Sequence, residues 1–173
     1  MQLSLMNTVL VFANGVASQA IAFNITAISA ANNASRLECW QLDASPKPGR
    51  GAVNFDLGDF DQALVGILPP NTTTGLLTNA PKLQYSLIMA GLAHITTPHS
   101  GLPSYLNEVW IQGGRHGWLI AADLVEFAAQ GHVTTFPGTE RTVIAQFPVA
   151  GNKPPAHSVL HLGPCTYADL AEL

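Results

Sequence analysis

Imidazole is the side chain that changes charge nearest neutral pH, and this chain of 173 residues holds six: His94, His99, His116, His132, His157 and His161. Their spacing contains no His-x-His pair and no His-Glu-x-x-His motif, so no local cluster supplies the three or four ligands of a zinc-type centre. Covalent chemistry is equally poorly served. Ser86, Ser100, Ser104 and Ser158 lack a Gly-x-Ser-x-Gly elbow, and the eleven acidic residues lie mostly in turn-like sequence such as "DLGDFD". Neither a phosphate loop nor a dinucleotide fingerprint is present. What stays open is the chemistry of single imidazoles and neutral hydrogen-bonding groups in a pocket: proton transfer, polarisation of a carbonyl, or binding alone.

The elements that would position such groups are short. From Glu38 onward, runs of five to eight apolar or alternating residues, among them "AVNFDL", "ALVGIL", "LQYSLIMA", "EVWIQ", "GHVTTF" and "RTVIAQFPV", are separated by Pro, Gly and Asn clusters. That spacing predicts an antiparallel sandwich or barrel, and closure is the simplest way to leave no exposed edge. "FPGTER" puts Pro137 and Gly138 where a tight hairpin turn needs a fixed and then a free φ. "AADLVEFAAQG" is the only plausible helix, so Asp123 and Glu126 read as its solvated face. His94 and His99 read as edge and loop residues, and Arg115 as a surface cation. No repeat or linker divides the chain, and 47% hydrophobic residues supply one core.

Net charge is -4 and the seven basic residues are scattered, so no cationic stripe exists for nucleic acid. The first charged residue is Arg36; the apolar stretch before it, roughly residues 8 to 17, is too short to span a bilayer but suits a signal peptide cleaved after Ala20. The alternative is an N-terminal strand or amphipathic helix. Acceptor sequons at Asn24, Asn33 and Asn71 support export. The two cysteines, Cys39 and Cys165, would pair in an oxidising compartment and staple the ends of the folded body, the alternative being two buried free thiols. The expected organisation is a signal peptide at 1–20, a polar glycosylatable arm at 21–37 and a β-barrel domain at 38–173, the protein being secreted or held in the lumen of the secretory pathway.

The segments "GILPPNTTTGLLTNAPKLQYSLIMAGLAHITT", "VWIQGGRHGWLIAADL" and "GHVTTFPGTERTVIAQFPV" resemble the two motif regions of the cupin superfamily. With the closing "VLHLGPC", the chain resembles more closely the small secreted cupin-like proteins of filamentous fungi, over roughly Val53 to Cys165. The resemblance implies an all-β, single-domain jelly-roll β-barrel with at most one or two short helices and a ligand inside. Setting the last Gly of the first motif on Gly91 puts Gln84 at the Glu position and Leu77 and Asn79 near the two His positions, none a competent metal ligand. His132 stands at the single His of the second motif, with Phe136 at its Asn position. No metal and no other cofactor is expected.

On that register the two-residue strand period points Ser86 and Ile88 inward with Gln84, and groups Thr134 and Phe136 with His132. His132 and Gln84 are the candidate catalytic residues; Ser86, Ile88, Thr134, Phe136, Trp118 and Tyr85 are the candidate ligand contacts. For His132 the alternative is a core histidine satisfied by a backbone carbonyl. The expected function is cofactor-free cyclisation or isomerisation, pericyclic closure included, of a small hydrophobic metabolite of fungal secondary metabolism. The alternative is a secreted carrier or effector without catalysis, and a metal-dependent oxygenase or isomerase ranks behind both. A homodimer is the candidate assembly.

Overall fold

The computed structural model describes residues 21–171. Thirteen strands follow in chain order: β1 (Phe23–Ala31), β2 (Ala34–Leu42), β3 (Lys47–Gly49), β4 (Ala52–Asn54), β5 (Leu64–Leu68), β6 (Thr72–Thr73), β7 (Gln84–Ala90), β8 (Leu92–Thr96), β9 (Glu108–Gln112), β10 (Trp118–Ala121), β11 (Val133–Phe136), β12 (Thr142–Pro148) and β13 (His157–Leu162). They form a seven-stranded sheet in the order β13-β2-β1-β10-β7-β12-β5, a four-stranded sheet β6-β11-β8-β9, and a small β3-β4 ribbon. The all-β expectation is met. The strands do not close into one hydrogen-bonded ring: each sheet keeps two edges, and the expected closure is replaced by face-to-face packing.

Residues 21–37, expected as a polar arm, are instead core structure. Asn32 and Asn33 both take positive φ, 52° and 63°, the backbone of a two-residue hairpin turn that matches strand twist. That turn locks β1 and β2 into register from Ala31↔Ala34 to Phe23↔Leu42, and β1 lies parallel to β10 in the interior of the large sheet. Segment 1–20, with the expected signal peptide, lies outside the described residues. The sequon at Asn24 falls within β1, where its side-chain amide donates to the Asp169 carbonyl at 2.8 Å and its Oδ1 accepts from Gln41 at 3.1 Å. Asn33 and Asn71 sit in exposed turns.

The large sheet is covered on both faces. Ile28, Leu37, Ile88 and Leu119 pack against Ala93, Ile95, Ile111 and Phe136 of the small sheet. On the opposite face Phe23, Ile25, Trp40, Tyr85 and Ile120 pack beneath Phe55 and Leu57. Cys39 and Cys165 form a disulfide across 126 residues of sequence, compatible with an oxidising compartment. Two further expectations are corrected. Residues 122–130 make a single turn, closed by the Ala128 N–H on the Leu124 carbonyl at 3.0 Å, because the chain there is tied sideways to neighbouring loops instead of to itself. Residues 137–141 do not close a hairpin; they carry the chain from the small sheet to the large one. Among the described residues no helix is long and apolar enough to cross a membrane.

Candidate active site

Between the two sheets lies a cavity of about 210 Å³. Its floor on the large sheet is Ile28, Leu119, Gln84, Ser86, Ile88 and Gln146, and its roof on the small sheet is Ala93, Ile95, His132, Thr134 and Phe136. The connection from Thr74 to Pro81 borders one side, with Thr74 and Pro81 exposed to solvent at the rim.

His132 is placed by backbone geometry. Its N–H donates to the Thr78 carbonyl at 2.8 Å and its carbonyl accepts from the Thr78 N–H at 2.7 Å. Gly131 allows this approach, since a Cβ there would lie 2.1 Å from the Thr78 oxygen. The imidazole Nδ1 lies 2.6 Å from Oδ2 of Asp123, a residue with no solvent exposure at all. The same Oδ2 accepts from the Ser35 hydroxyl at 2.5 Å, and Oδ1 accepts a long bond from the Ala80 N–H at 3.4 Å. A carboxylate is acceptor-only, so Nδ1 is assigned the proton and Nε2 the lone pair. Nε2 has no protein partner among the described residues, and His132 lines the cavity. The arrangement is an imidazole held through Nδ1 by a buried carboxylate at the wall of a cavity, with Nε2 uncommitted among the described residues, a pairing that suits a general base.

The carboxylate is held from several directions. Asn79 donates to the Asp123 carbonyl at 2.9 Å and to the Ala128 carbonyl at 2.6 Å, pinning both ends of the turn that carries it. The β1–β2 hairpin adds the Ser35 N–H on the Gln130 carbonyl and the Asn33 Oδ1 accepting from Ala129 N–H. These bonds hold the turn, while the carboxylate itself is met by the His132 ring, the Ser35 hydroxyl and the Ala80 N–H, partners without which a buried charge would cost several kcal/mol.

Across the cavity stand neutral donors. Gln84 and Ser86 are buried and neighbour each other on one face of β7, and Gln146 of β12 is opposite Ser86. None of these three side chains hydrogen-bonds to a described residue, so their amides and hydroxyl are left for whatever enters.

Six of the eight residues singled out from the sequence border this space: His132, Gln84, Ser86, Ile88, Thr134 and Phe136. Tyr85 and Trp118 do not, and their proposed ligand contacts are withdrawn. The strand period puts them on the other face of the large sheet, where Tyr85 meets Phe60 edge-on and Trp118 stacks on Phe147. The Tyr85 hydroxyl is sealed there without a partner, and burial pushes its pKa up to about 12. His94 lies within β8, half-buried, stacked on Trp110 and bonded to Glu108 at 3.2 Å. Arg115 is exposed, with its Nη2 on the Ala171 carbonyl. Asp123, read as a solvated residue, is the largest correction; sequence reasoning does not single out Ser35 or Gln146, and it weighs Asn79 only as a metal position, where the residue instead holds the turn that carries Asp123. An acid inside the apolar run "WLIAADL" is the signal that marks Asp123: a charge flanked by buried strand residues must find a partner.

The residues at the positions of a cupin metal centre do not fit a divalent cation. Leu77 has no side-chain donor atom, and Asn79 and Gln84 offer only neutral amide oxygens in place of an imidazole and a carboxylate. Among the described residues the one grouping with metal-ligand composition is Cys39, His161 and Asp169, and Cys39 is in the disulfide.

No protein-family model and no curated protein sequence matches the chain. Among solved structures it is similar to NovW, a 4-keto-6-deoxy sugar epimerase from the novobiocin biosynthetic gene cluster of Streptomyces spheroides, with 9% identity, a TM-score of 0.36, and 80% of this chain and 74% of that chain covered. A likeness of that size carries no inference about activity.

Proposed function

We propose that this cupin-like chain is a cofactor-free isomerase that moves a proton on a small, largely apolar carbonyl compound, with His132 as general base. The observation that carries the reading is the 2.6 Å contact between His132 and the fully buried Asp123, which holds the ring at the cavity wall and supports Nε2 as the basic nitrogen. Proton removal next to a carbonyl builds negative charge on its oxygen, and Gln84, Ser86 and Gln146 supply neutral donors for it on the opposite wall. The enol formed in this way is also the electron-rich partner that a ring closure consumes, so cyclisation of a metabolite, including a pericyclic one, is the finer reading of the same site. The disulfide supports export, with glycans at Asn33 and Asn71 as part of that reading.

The test is exchange of the α-protons of cyclohexanone in D2O, followed by proton NMR. The wild type accelerates exchange, and Asp123→Asn and His132→Gln lower the rate by about 10²- to 10⁴-fold, the usual worth of a general base. Binding of the ketone without exchange would make the cavity that of a carrier instead.

A further inference from the structure

The cavity is asymmetric in a way that bears on stereochemistry. We infer, resting on the proposed base, that the site takes a neutral enolisable ketone and transfers its proton on one face only, with His132 both removing the proton and returning it. The base stands on the small-sheet wall and the oxygen-binding groups on the large-sheet wall, so a flat enolate between them shows one face to Nε2. Inversion at carbon needs a second proton donor on the other face. Among the described residues that line the cavity there is no Tyr, Lys, Cys, Asp, Glu or second His, and the amides and hydroxyls opposite are too weakly acidic to deliver a proton. The nearby phenol, Tyr85, points to the other side of its sheet.

Neutrality follows from the same lining. No Lys or Arg among the described residues borders the cavity, so a phosphate or carboxylate placed there would lie near a buried carboxylate without a countercharge. The volume sets the scale: about 210 Å³ exceeds the ~150 Å³ of an apolar cavity that admits benzene, so a substituted six-membered ring is accommodated.

The step balances without a co-reactant. The Nε2 lone pair takes the α-proton, the C–H electrons become the enolate π bond, and the carbonyl pair moves to oxygen, where Gln84, Ser86 or Gln146 donates a hydrogen bond. The imidazolium then gives its proton back to the same face, at the original carbon or at the γ carbon of an unsaturated ketone, where return completes a 1,3-shift.

The probe is (R)-2-methylcyclohexanone in D2O, with deuterium incorporation at the methyl-bearing carbon read by NMR and optical purity by chiral chromatography. Incorporation that outruns racemisation by tenfold or more, and that falls at least tenfold in both Asp123→Asn and His132→Gln, is expected. Equal rates of incorporation and racemisation overturn one-face transfer and leave His132 as the base; no variant-sensitive incorporation overturns the base itself and this inference with it. Butanone and 2-oxobutanoate test neutrality: acceleration over the uncatalysed rate is to be at least tenfold greater for butanone, and a preference for the keto acid overturns that part. Ser86→Ala slows incorporation severalfold while retaining configuration; racemisation appearing in this variant would also refute the assignment.

Discussion

Replacing Asp123 separates its structural contribution from its electronic one. In Asp123→Ala the Ser35 hydroxyl and the His132 Nδ1 each lose a short bond to a charged acceptor, 2.5 and 2.6 Å in the native protein. At roughly 1.5–3 kcal/mol for a hydrogen bond to a charged group, the two together are worth about 3–6 kcal/mol, the range seen when one partner of a buried pair is removed. For a domain of this size that lowers the melting temperature by at least about 6 °C, at ~2 °C per kcal/mol. Asp123→Asn keeps the shape and is expected to lose less, about 1–3 kcal/mol, but it changes the imidazole. If the new amide nitrogen faces Nδ1, it donates where the carboxylate accepted, and the ring proton moves to Nε2. The assay is nitrogen-15 NMR of the neutral form of the imidazole: the wild type shows a protonated Nδ1 and an unprotonated Nε2, and a variant whose amide nitrogen faces Nδ1 shows the reverse. A wild type whose neutral ring carries its proton on Nε2 refutes the claim that Asp123 prepares Nε2 as a base.

Two further predictions concern how the site and the chain end are held. Gly131→Ala pushes a methyl toward the Thr78 oxygen, 2.1 Å from the Cβ position, and is expected to cost about 1–3 kcal/mol and to displace His132, whereas Gly138→Ala, with nothing nearer than 3.7 Å, stays within about 0.5 kcal/mol; denaturant midpoints of the two variants decide it. His161 lies beside the C-terminal turn, where partial burial pulls its pKa down but the Leu162 carbonyl and the Asp169 carboxylate outweigh that and hold it above the ordinary value of 6.5. Burial likewise pushes Asp169 up, but Thr166 and His161 outweigh it and hold the carboxyl below 3.8. A raised histidine contributes stability in full below its unfolded value and loses it as pH rises through its folded value; a lowered carboxylate contributes above its unfolded value and loses it as pH falls. Tail docking is therefore strongest between these limits, and protection of the Asp169 and Leu170 amides from hydrogen exchange is expected to fall as pH rises above 6.5 through the raised His161 value in the wild type and not in His161→Asn. Equal pH dependence in both proteins would show that the pair does not hold the tail.

The strand pattern was legible because each run carries its own period. The alternation of "QYSLIMA" alone separates Gln84, Ser86 and Ile88 from Tyr85, and the opposite faces are where these residues lie. What stayed hidden is pairing at long range. The "NN" dipeptide is a hairpin signal, yet β1 was read as a leader-proximal arm, because nothing local says that it lies parallel to β10, some ninety residues later. Asp123 was misread because "ADLVEFAAQ" has a helical apolar period, while the bonds from Asn79 and Ser35 that unwind it come from segments 44 and 88 residues away in sequence. Local propensity lost to tertiary hydrogen bonding there.

The unpaired groups on the large-sheet wall carry the argument from stability toward function. Gln84 and Ser86 are buried on a sheet face where Ile28, Ile88 and Leu119 are apolar neighbours, and neither side chain hydrogen-bonds to a described residue. An amide or hydroxyl that meets only a narrow, mostly apolar cavity contributes little to folding, so a sequence selected for packing alone would place Leu and Ala at these positions. Replacing them should then stabilise the empty protein: Gln84→Leu with Ser86→Ala is expected to raise stability by about 0.5–2 kcal/mol, the scale of a substitution that relieves a functional compromise. The same double variant should slow ketone exchange, because the enolate oxygen loses its donors, while the imidazole NMR spectrum stays that of the wild type. A stability gain with a rate loss marks the two residues as ligand groups. A stability loss of 1 kcal/mol or more would mean instead that they support the sheet, and that the oxygen of the substrate is held elsewhere.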